Sequence, residues 1–308
     1  MSDQVRILVL GCGDGWHANQ LKMAAETLGC ELHFSDYESL FACVATPPEV
    51  VGLGCDGYGS SAEMIDRFDA VLTRTMPPGS LEKVTFRLAV LHGLCAAGVP
   101  VINSPASLEL AIDKFASLAR VARLGYAVPE TVVVQSRSEA VAAFHRLGGD
   151  CVVKPIFGGE GRGVMRIQDA QLAWYTFATL EQLDAAFYIQ AFVPPGGRDT
   201  RLMVIGDDVI AARRENDLDF RTNHSQGGKT VAIEPTSEQS ELARRVTQEM
   251  GLVIASVDVI DSVNGSPRVL EVNGVPGWKG LQGASHVPIA TQMLQTVIES
   301  SKVREAIQ

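Results

Sequence analysis

The chain has 308 residues, 46% hydrophobic and 20% charged, with a formal net charge of −10. That length exceeds one ordinary core and calls for two or three α/β domains. An acidic chain without a basic tract excludes nucleic acid as the main partner, and no apolar run reaches the roughly 20 residues of a membrane-spanning helix.

The opening Met1–Gly11 lacks a basic region followed by a long apolar one, so no secretory leader and a cytoplasmic location are expected. The apolar run Arg6–Leu10 predicts a strand. A glycine-rich turn, Gly11–Gly15, a helix over His17–Leu28 and a strand over Glu31–Phe34 follow. Ala70–Thr73 reads as a strand, Leu81–Ala97 as a helix stopped by Gly98, and Val99–Asn103 as another strand. Strand–helix alternation of this kind makes a parallel sheet. Next come one amphipathic helix, Ser107–Leu124, a strand Val128–Val134, a helix Ser138–Leu147, and strands Cys151–Pro155 and Val164–Ile167. The remainder alternates strands Tyr188–Phe192, Thr200–Val204 and Val209–Arg213, a helix Glu238–Met250, strands Ala255–Ile260 and Arg268–Val272, and a last helix Ile289–Ser300. Asp14–Trp16, Pro47–Ser61 and Asp217–Lys229 read as loops that could order around a ligand. The six cysteines are scattered with no CxxC pair, which indicates neither zinc nor a redox motif. The fold class expected is α/β with α+β parts, in three domains: 1–104, 105–187 and 188–308.

Three features carry chemistry. Lys154-Pro155 closes an apolar strand, and four glycines stand within Gly158–Gly163. Such a turn presses backbone N–H groups onto an anion. It is not a P-loop, because no Gly-Lys-Ser/Thr follows. A flap over phosphates and a plain hairpin with an exposed lysine fit equally well. Second, Asp258 lies in one strand, and Glu271 and Asn273 alternate in the next. With period two the three can face one side, and an all-oxygen trio suits Mg²⁺ held with phosphate oxygens. No lysine or arginine is expected at matching strand spacing, so a cation from solution is the expected counter-charge. Third, Arg198, Arg201, Arg213, Arg214 and Arg221 concentrate cations suited to phosphate and carboxylate.

Taken in order, Asp113-Lys114, Val153-Lys154-Pro155, the Gly158–Gly163 turn, Tyr188–Val193, Asp199-Thr200-Arg201, Phe220–Asn223 with Gly227-Gly228, Val257-Asp258-Val259 and Glu271–Gly277 resemble the ATP-grasp superfamily, most closely its RimK-type glutamate ligase branch. The resemblance covers nearly the whole chain and implies an N-terminal open α/β domain, a small central lid and a C-terminal α+β domain. It also implies roles. Lys114 and Lys154 would contact ATP phosphates, and Gly159, Glu160, Gly161, Arg162 and Gly163 would cover them. Gln190, Ala191, Phe192 and Val193 would form the hinge against adenine, with Asp199 a ribose contact. Asp258, Glu271 and Asn273 would hold two Mg²⁺ ions, with Mn²⁺ as a substitute. Arg201, Arg214 and Asn223 would face the acyl phosphate or a substrate carboxylate; Arg213 is adjacent to Arg214, and the register between them stays open.

One departure is Ala191, where the family often carries an acidic residue, so a side-chain contact to adenine is in doubt. His224 is given no catalytic role. Arg74 and Gly13, at strand ends of the first domain, together with Arg221 and Gly227, are candidates for the substrate. Ordinary strand–helix turns fit Gly13 and Arg74 equally well. The stretch Arg74–Ser80 with Asn273–Leu281 is similar to ligases of methanofuran and tetrahydromethanopterin-type cofactors. The reaction implied is amide formation through an acyl phosphate, releasing ADP and phosphate. Its partners would be a small-molecule carboxylate acceptor and an amino acid such as L-glutamate, with neither nucleic acid nor membrane; a homo-oligomer stays open. A ligase acting on a protein C-terminus and a non-catalytic nucleotide-binding protein are the alternatives.

Overall fold

The computed structural model describes residues 4–45, 51–59, 63–223, 227–262 and 265–305. The first region runs β1 (Arg6–Leu10), α1 (Trp16–Leu28), β2 (Glu31–Ser35), β3 (Phe41–Val44), β4 (Val51–Cys55), β5 (Glu63–Met64), β6 (Ala70–Thr73), α2 (Leu81–Ala96) and β7 (Val101–Ile102). Strands β2-β1-β6-β7 form a parallel sheet, and β3-β4-β5 a small antiparallel one. The apolar run of β1 is explained by burial on both faces. Ile7 and Val9 pack with Leu21 and Ala25 of α1, whereas Leu8 and Leu10 pack with Val90, Leu91 and Leu94 of α2. The β3–β5 sheet falls partly in the stretch 47–61 expected as loop; alternating Gly52 and Gly54 removed its strand signal.

The chain continues with α3 (Pro105–Ile112), α4 (Lys114–Arg123), β8 (Thr131–Val134), α5 (Arg137–Arg146), β9 (Cys151–Lys154), β10 (Met165–Ile167), α6 (Ala170–Gln182) and β11 (Phe187–Ala191). The single helix expected over Ser107–Leu124 is two helices. Asp113 is extended (φ −86, ψ 106), and its carboxylate accepts from the N–H groups of Phe115 and Ala116, capping α4. Ser104, not Ser107, caps α3, with Pro105 in its first turn. Helix α6 has no counterpart in the sequence reading. It buries Ala173 and Phe177 but leaves Leu172, Trp174 and Tyr175 exposed, which blurs the apolar stripe.

The last region is β12 (Arg198–Ile205), β13 (Asp208–Glu215), β14 (Lys229–Ile233), α7 (Ser237–Glu249), β15 (Ile254–Ser262), β16 (Gly265–Asn273), α8 (Lys279–Ala284) and α9 (Ile289–Glu305). Two antiparallel sheets result, β10-β9-β11-β8 and β14-β13-β12-β15-β16. Strand β11 hydrogen-bonds to β8 and β9, so a division after residue 187 would cut that sheet. Conversely Ala111 of α3 and Val121 of α4 pack with Val257, Val259 and Val272 of the five-stranded sheet. Helix α9 returns to the first region, where Met293, Leu294 and Val297 share a core with Ile7, Val9 and Leu72. Asn103, 2% exposed, adds a polar tie: its Nδ2 donates to the carbonyls of Ile254 and Gly274, each at 2.6 Å, and its Oδ1 accepts from Val253 and Ile254 N–H. Among the described residues no helix is long and apolar enough to cross a membrane.

Candidate active site

Residues Asp199 and Arg201 alternate on β12, and the register sets Arg214 of β13 opposite Asp199 and Asp258 of β15 opposite Arg201. Period two therefore puts all four on one face. Arg201 Nε and Nη2 donate to the two oxygens of Asp258 at 2.8 and 2.7 Å. Arg214 Nε and Nη2 donate to both oxygens of Asp199 at 2.7 Å, and Nη2 also reaches Asp258 Oδ2 at 2.7 Å. The Thr222 hydroxyl donates to Asp199 Oδ2. Burial alone would push the Asp258 carboxyl up, but Arg201 and Arg214 outweigh it and hold the group below the usual carboxylate range.

This ladder bears on three expectations. Asp258 has two arginine partners across its strand, so its charge does not await a cation from solution. Asp199, 2% exposed, accepts from Arg214 and Thr222 through its two oxygens, so in the structure it holds the ladder together. The register also chooses between the adjacent arginines. Arg214 is buried in the ladder, whereas Arg213 faces the other way toward Asp261 at 3.5 Å.

Glu271 lies directly opposite Asp258, and Asn273 opposite Ser256. Asn273 Nδ2 donates to Glu271 Oε1 at 3.2 Å. The amide's other atom, Oδ1, is the one Asn273 can offer a cation. The trio thus presents oxygen ligands of the kind a hard divalent cation takes, and these residues fit Mg²⁺.

Above this floor, β9 and β10 pair as an antiparallel hairpin whose turn is the glycine stretch. The break at Asp113 aims Lys114 at that turn, where Nζ donates to the carbonyls of Ile156 (3.1 Å) and Gly158 (2.6 Å). Gly161 has φ +72, and a Cβ there would stand 2.7 Å from Asn223 Oδ1, so only glycine lets the turn meet the 216–223 loop so closely. Arg221 Nη1 reaches Gly161 O at 3.4 Å, with its Nε and Nη2 on Asp219. Lys154 is buried; its Nζ donates to Gln190 Oε1 at 2.7 Å, and Gln190 Nε2 donates to Thr131 Oγ1 at 3.0 Å. Burial, with Lys114 nearby, pulls the Lys154 ammonium down to about 8 despite Glu271 and Asp258. At the hinge, Ala191 N donates to Glu130 O and Phe192 N to Asp150 O. No backbone carbonyl among the described residues takes the Val193 N–H. Phe192 is held between Arg166, 3.4 Å from its ring centre, and Phe220.

One cleft is lined by Lys114, Lys154, Gly159, Glu160, Gly161, Arg162, Gln190, Ala191, Phe192, Val193, Asp199, Arg214, Arg221, Asn223, Asp258 and Glu271. Gly163 ends its turn, and Arg201 and Asn273 lie against Asp258 and Glu271. Gly227 is exposed, and residues 224–226, including His224, lie outside the described residues. Arg74 and Gly13 are not in the lining. Arg74 stacks on Trp278 at 4.7 Å and donates to Pro276 O, one residue before the Gly277 carbonyl that Arg201 reaches. The sequence reading missed the apolar walls, Val152, Val164, Ile260 and Leu270. Period two from Lys154 and Asp258 could have found Val152 and Ile260. Leu270 could not be found this way, because the ladder is irregular there.

Two antiparallel sheets enclosing two lysines, a glycine turn and an acidic floor define an enzyme of the ATP-grasp class. Residues 111–297 match the RimK-like ATP-grasp domain. The chain is 32% identical over 261 residues to the tetrahydromethanopterin:alpha-L-glutamate ligase of Methanosarcina acetivorans, covering 75% of this chain and 80% of that protein. It is 30% identical over 282 residues to a probable alpha-L-glutamate ligase of Mannheimia succiniciproducens, covering 91% and 93%. The structure of the ATP-grasp ligase PsnB complexed with minimal precursor, Mg and ADP superposes with a TM-score of 0.72 at 25% identity, over 96% of this chain and 97% of that one. The chain belongs to the RimK-like ATP-grasp family. It is an ATP-dependent ligase that forms carbon–nitrogen bonds.

Proposed function

We propose that the enzyme joins an α-amino acid, L-glutamate first among them, to a carboxylate of a small cofactor precursor. The observation that carries this reading is the convergence of Lys114, Lys154, the glycine turn and the Asp258–Glu271–Asn273 floor on one cleft, in a chain whose relatives are named glutamate ligases. Lys114 and Lys154 hold the ATP phosphates, and Gly159–Gly163 close over them. The Gln190–Val193 hinge meets adenine through backbone, with Val193 offering the open N–H. Asp258, Glu271 and Asn273 hold the divalent cations, two Mg²⁺ or Mn²⁺, which when bound neutralise charge on the phosphate oxygens.

The substrate carboxylate attacks the γ-phosphorus, the bond to the β-phosphate oxygen breaks, and ADP leaves an acyl phosphate. The amine nitrogen then attacks the acyl carbon, inorganic phosphate leaves, and the amine gives up its proton. Asn223, in the cleft lining, steadies the transferring group, and Arg201, its Nε and Nη2 on Asp258, keeps that carboxylate in place. Arg214, its Nε and Nη2 committed to Asp199 and Asp258, holds the floor in place. The closed turn keeps water from the acyl phosphate. Arg74 and Gly13 belong to the acceptor side, and Arg221 braces the turn.

The test is ADP release across a panel of amino acids with small carboxylate acceptors, and mass spectrometry of the product. ADP and a product heavier by one amino-acid residue are expected. AMP as the stoichiometric product would end the reading. Turnover with a peptide C-terminus and none with small acceptors would move the acceptor to protein tails.

A further inference from the structure

We propose that His33, Cys55 and Asp56 form a binding site for one thiophilic divalent cation of the Zn²⁺ kind, separate from the ligase cleft. One ligand atom from each residue, a ring nitrogen, the thiol sulfur and a carboxylate oxygen, all lie within 4.8 Å of one another. His33 Nε2 stands 2.7 Å from Asp56 Oδ2. They come from two places: His33 from the middle of β2, and Cys55 and Asp56 from the end of β4 and the residue after it.

Backbone conformation brings neighbours 55 and 56 together. In a continuing strand their side chains would point to opposite faces. Asp56 instead takes φ +65 and ends the strand, so its carboxylate comes round toward the thiol. Its N–H donates to Ser39 Oγ at 3.3 Å, and that hydroxyl is 2.8 Å from Ser35 Oγ. Phe68 lies against the imidazole, with ring centres 5.5 Å apart.

The donor set chooses the metal. Sulfur and imidazole nitrogen with one carboxylate oxygen suit Zn²⁺ rather than Mg²⁺ or Ca²⁺. Metal–ligand bonds of about 2.0–2.3 Å place tetrahedral ligands roughly 3.3–3.8 Å apart. A bound ion would have to part His33 from Asp56, now 2.7 Å apart, and draw in ligand atoms that already lie within 4.8 Å of one another. Cys55 is fully buried, while the His33 and Asp56 side chains are 33% and 29% exposed, which leaves the fourth position to water. A bound ion would tie the small β3–β5 sheet to β2, the edge of the parallel sheet.

Co²⁺ is the probe. The full-length protein, stripped with chelator, is titrated with Co²⁺ at neutral pH. A thiolate charge-transfer band in the near ultraviolet and tetrahedral-strength visible bands are expected, saturating at one equivalent and abolished by Zn²⁺. The cleft trio, oxygen ligands only, gives no thiolate band. Cys55→Ser should lose the band, and Cys30→Ser, a change at another buried thiol, should keep it. His33→Gln, at a half-exposed position, should weaken Co²⁺ binding at least about tenfold and lose the rise in melting temperature that Zn²⁺ gives the parent protein. Absence of a thiolate band in the parent protein, or a band unchanged in His33→Gln or Cys55→Ser, would overturn the site. None of these readings touches ADP release, so the ligase assignment stands or falls separately.

Discussion

The floor and the roof of the cleft are built on opposite principles. Below, Arg201, Arg214, Asp199 and Asp258 form a buried ladder fixed by hydrogen bonds of 2.7–2.8 Å. Above, the glycine turn carries the ion pair Arg162–Glu160, whose side chains are 81% and 63% exposed. A buried charge left without its partner is costly, whereas an exposed pair contributes little. The floor is therefore set before a ligand arrives, and the roof is free to follow it.

The sharpest way to break that contrast is Arg214→Leu. It strands buried Asp199 and takes one of Asp258's two arginine partners, and a loss of about 3–5 kcal/mol is expected. Denaturant melts should show a lower midpoint at unchanged slope. Next is Glu271→Gln, which keeps shape and the Asn273 contact but removes charge from the cation site. Turnover should fall by about a hundredfold or more, while stability shifts by no more than about 0.5 kcal/mol. Normal turnover in that variant would remove both the metal assignment and the proposed chemistry. Lys154→Ala withdraws a buried cation from the phosphates and should weaken ATP binding about tenfold to a hundredfold, read by calorimetry.

Titration of Lys154 gives a subtler signature. Its folded value of about 8 lies below the ordinary 10.5. Between those values the unfolded chain holds the extra proton, so this group makes stability rise with pH from 8 to 10.5. The charged form, which in the proposed function holds the ATP phosphates, is lost over the same start of the window. ATP affinity should fall as pH passes 8 in the parent protein and stay flat in Lys154→Arg. The smallest effect belongs to the roof: Arg162→Ala should change stability by less than about 0.5 kcal/mol, and a large loss would show that the exposed pair is no ornament.

The sequence made the roof legible and left much of the floor dark, for a physical reason. The glycine turn, Lys154-Pro155 and the alternation of Glu271 with Asn273 are local, as are strands β1 and β6, whose bounds the sequence places correctly. The ladder depends on register between strands far apart in the chain, such as Arg201 against Asp258. No single-strand pattern reveals that partner, and so the counter-charge expectation for Asp258 failed. Asp113 misled for the converse reason: helical spacing runs through it, but its side chain prefers to cap. Spacing rules for metal ligands were equally blind to His33 and Asp56, 23 positions apart.

Helix α9 has one more consequence. Because Met293, Leu294 and Val297 cover Ile7, Val9 and Leu72, the two extremities of the polypeptide share a single interior. The α/β region taken alone would show an oily flank to solvent. Attempts to dissect the enzyme into the isolated α/β region and the isolated remainder should thus yield aggregates. Co-expressed pieces, split at a surface loop between them, should reassemble.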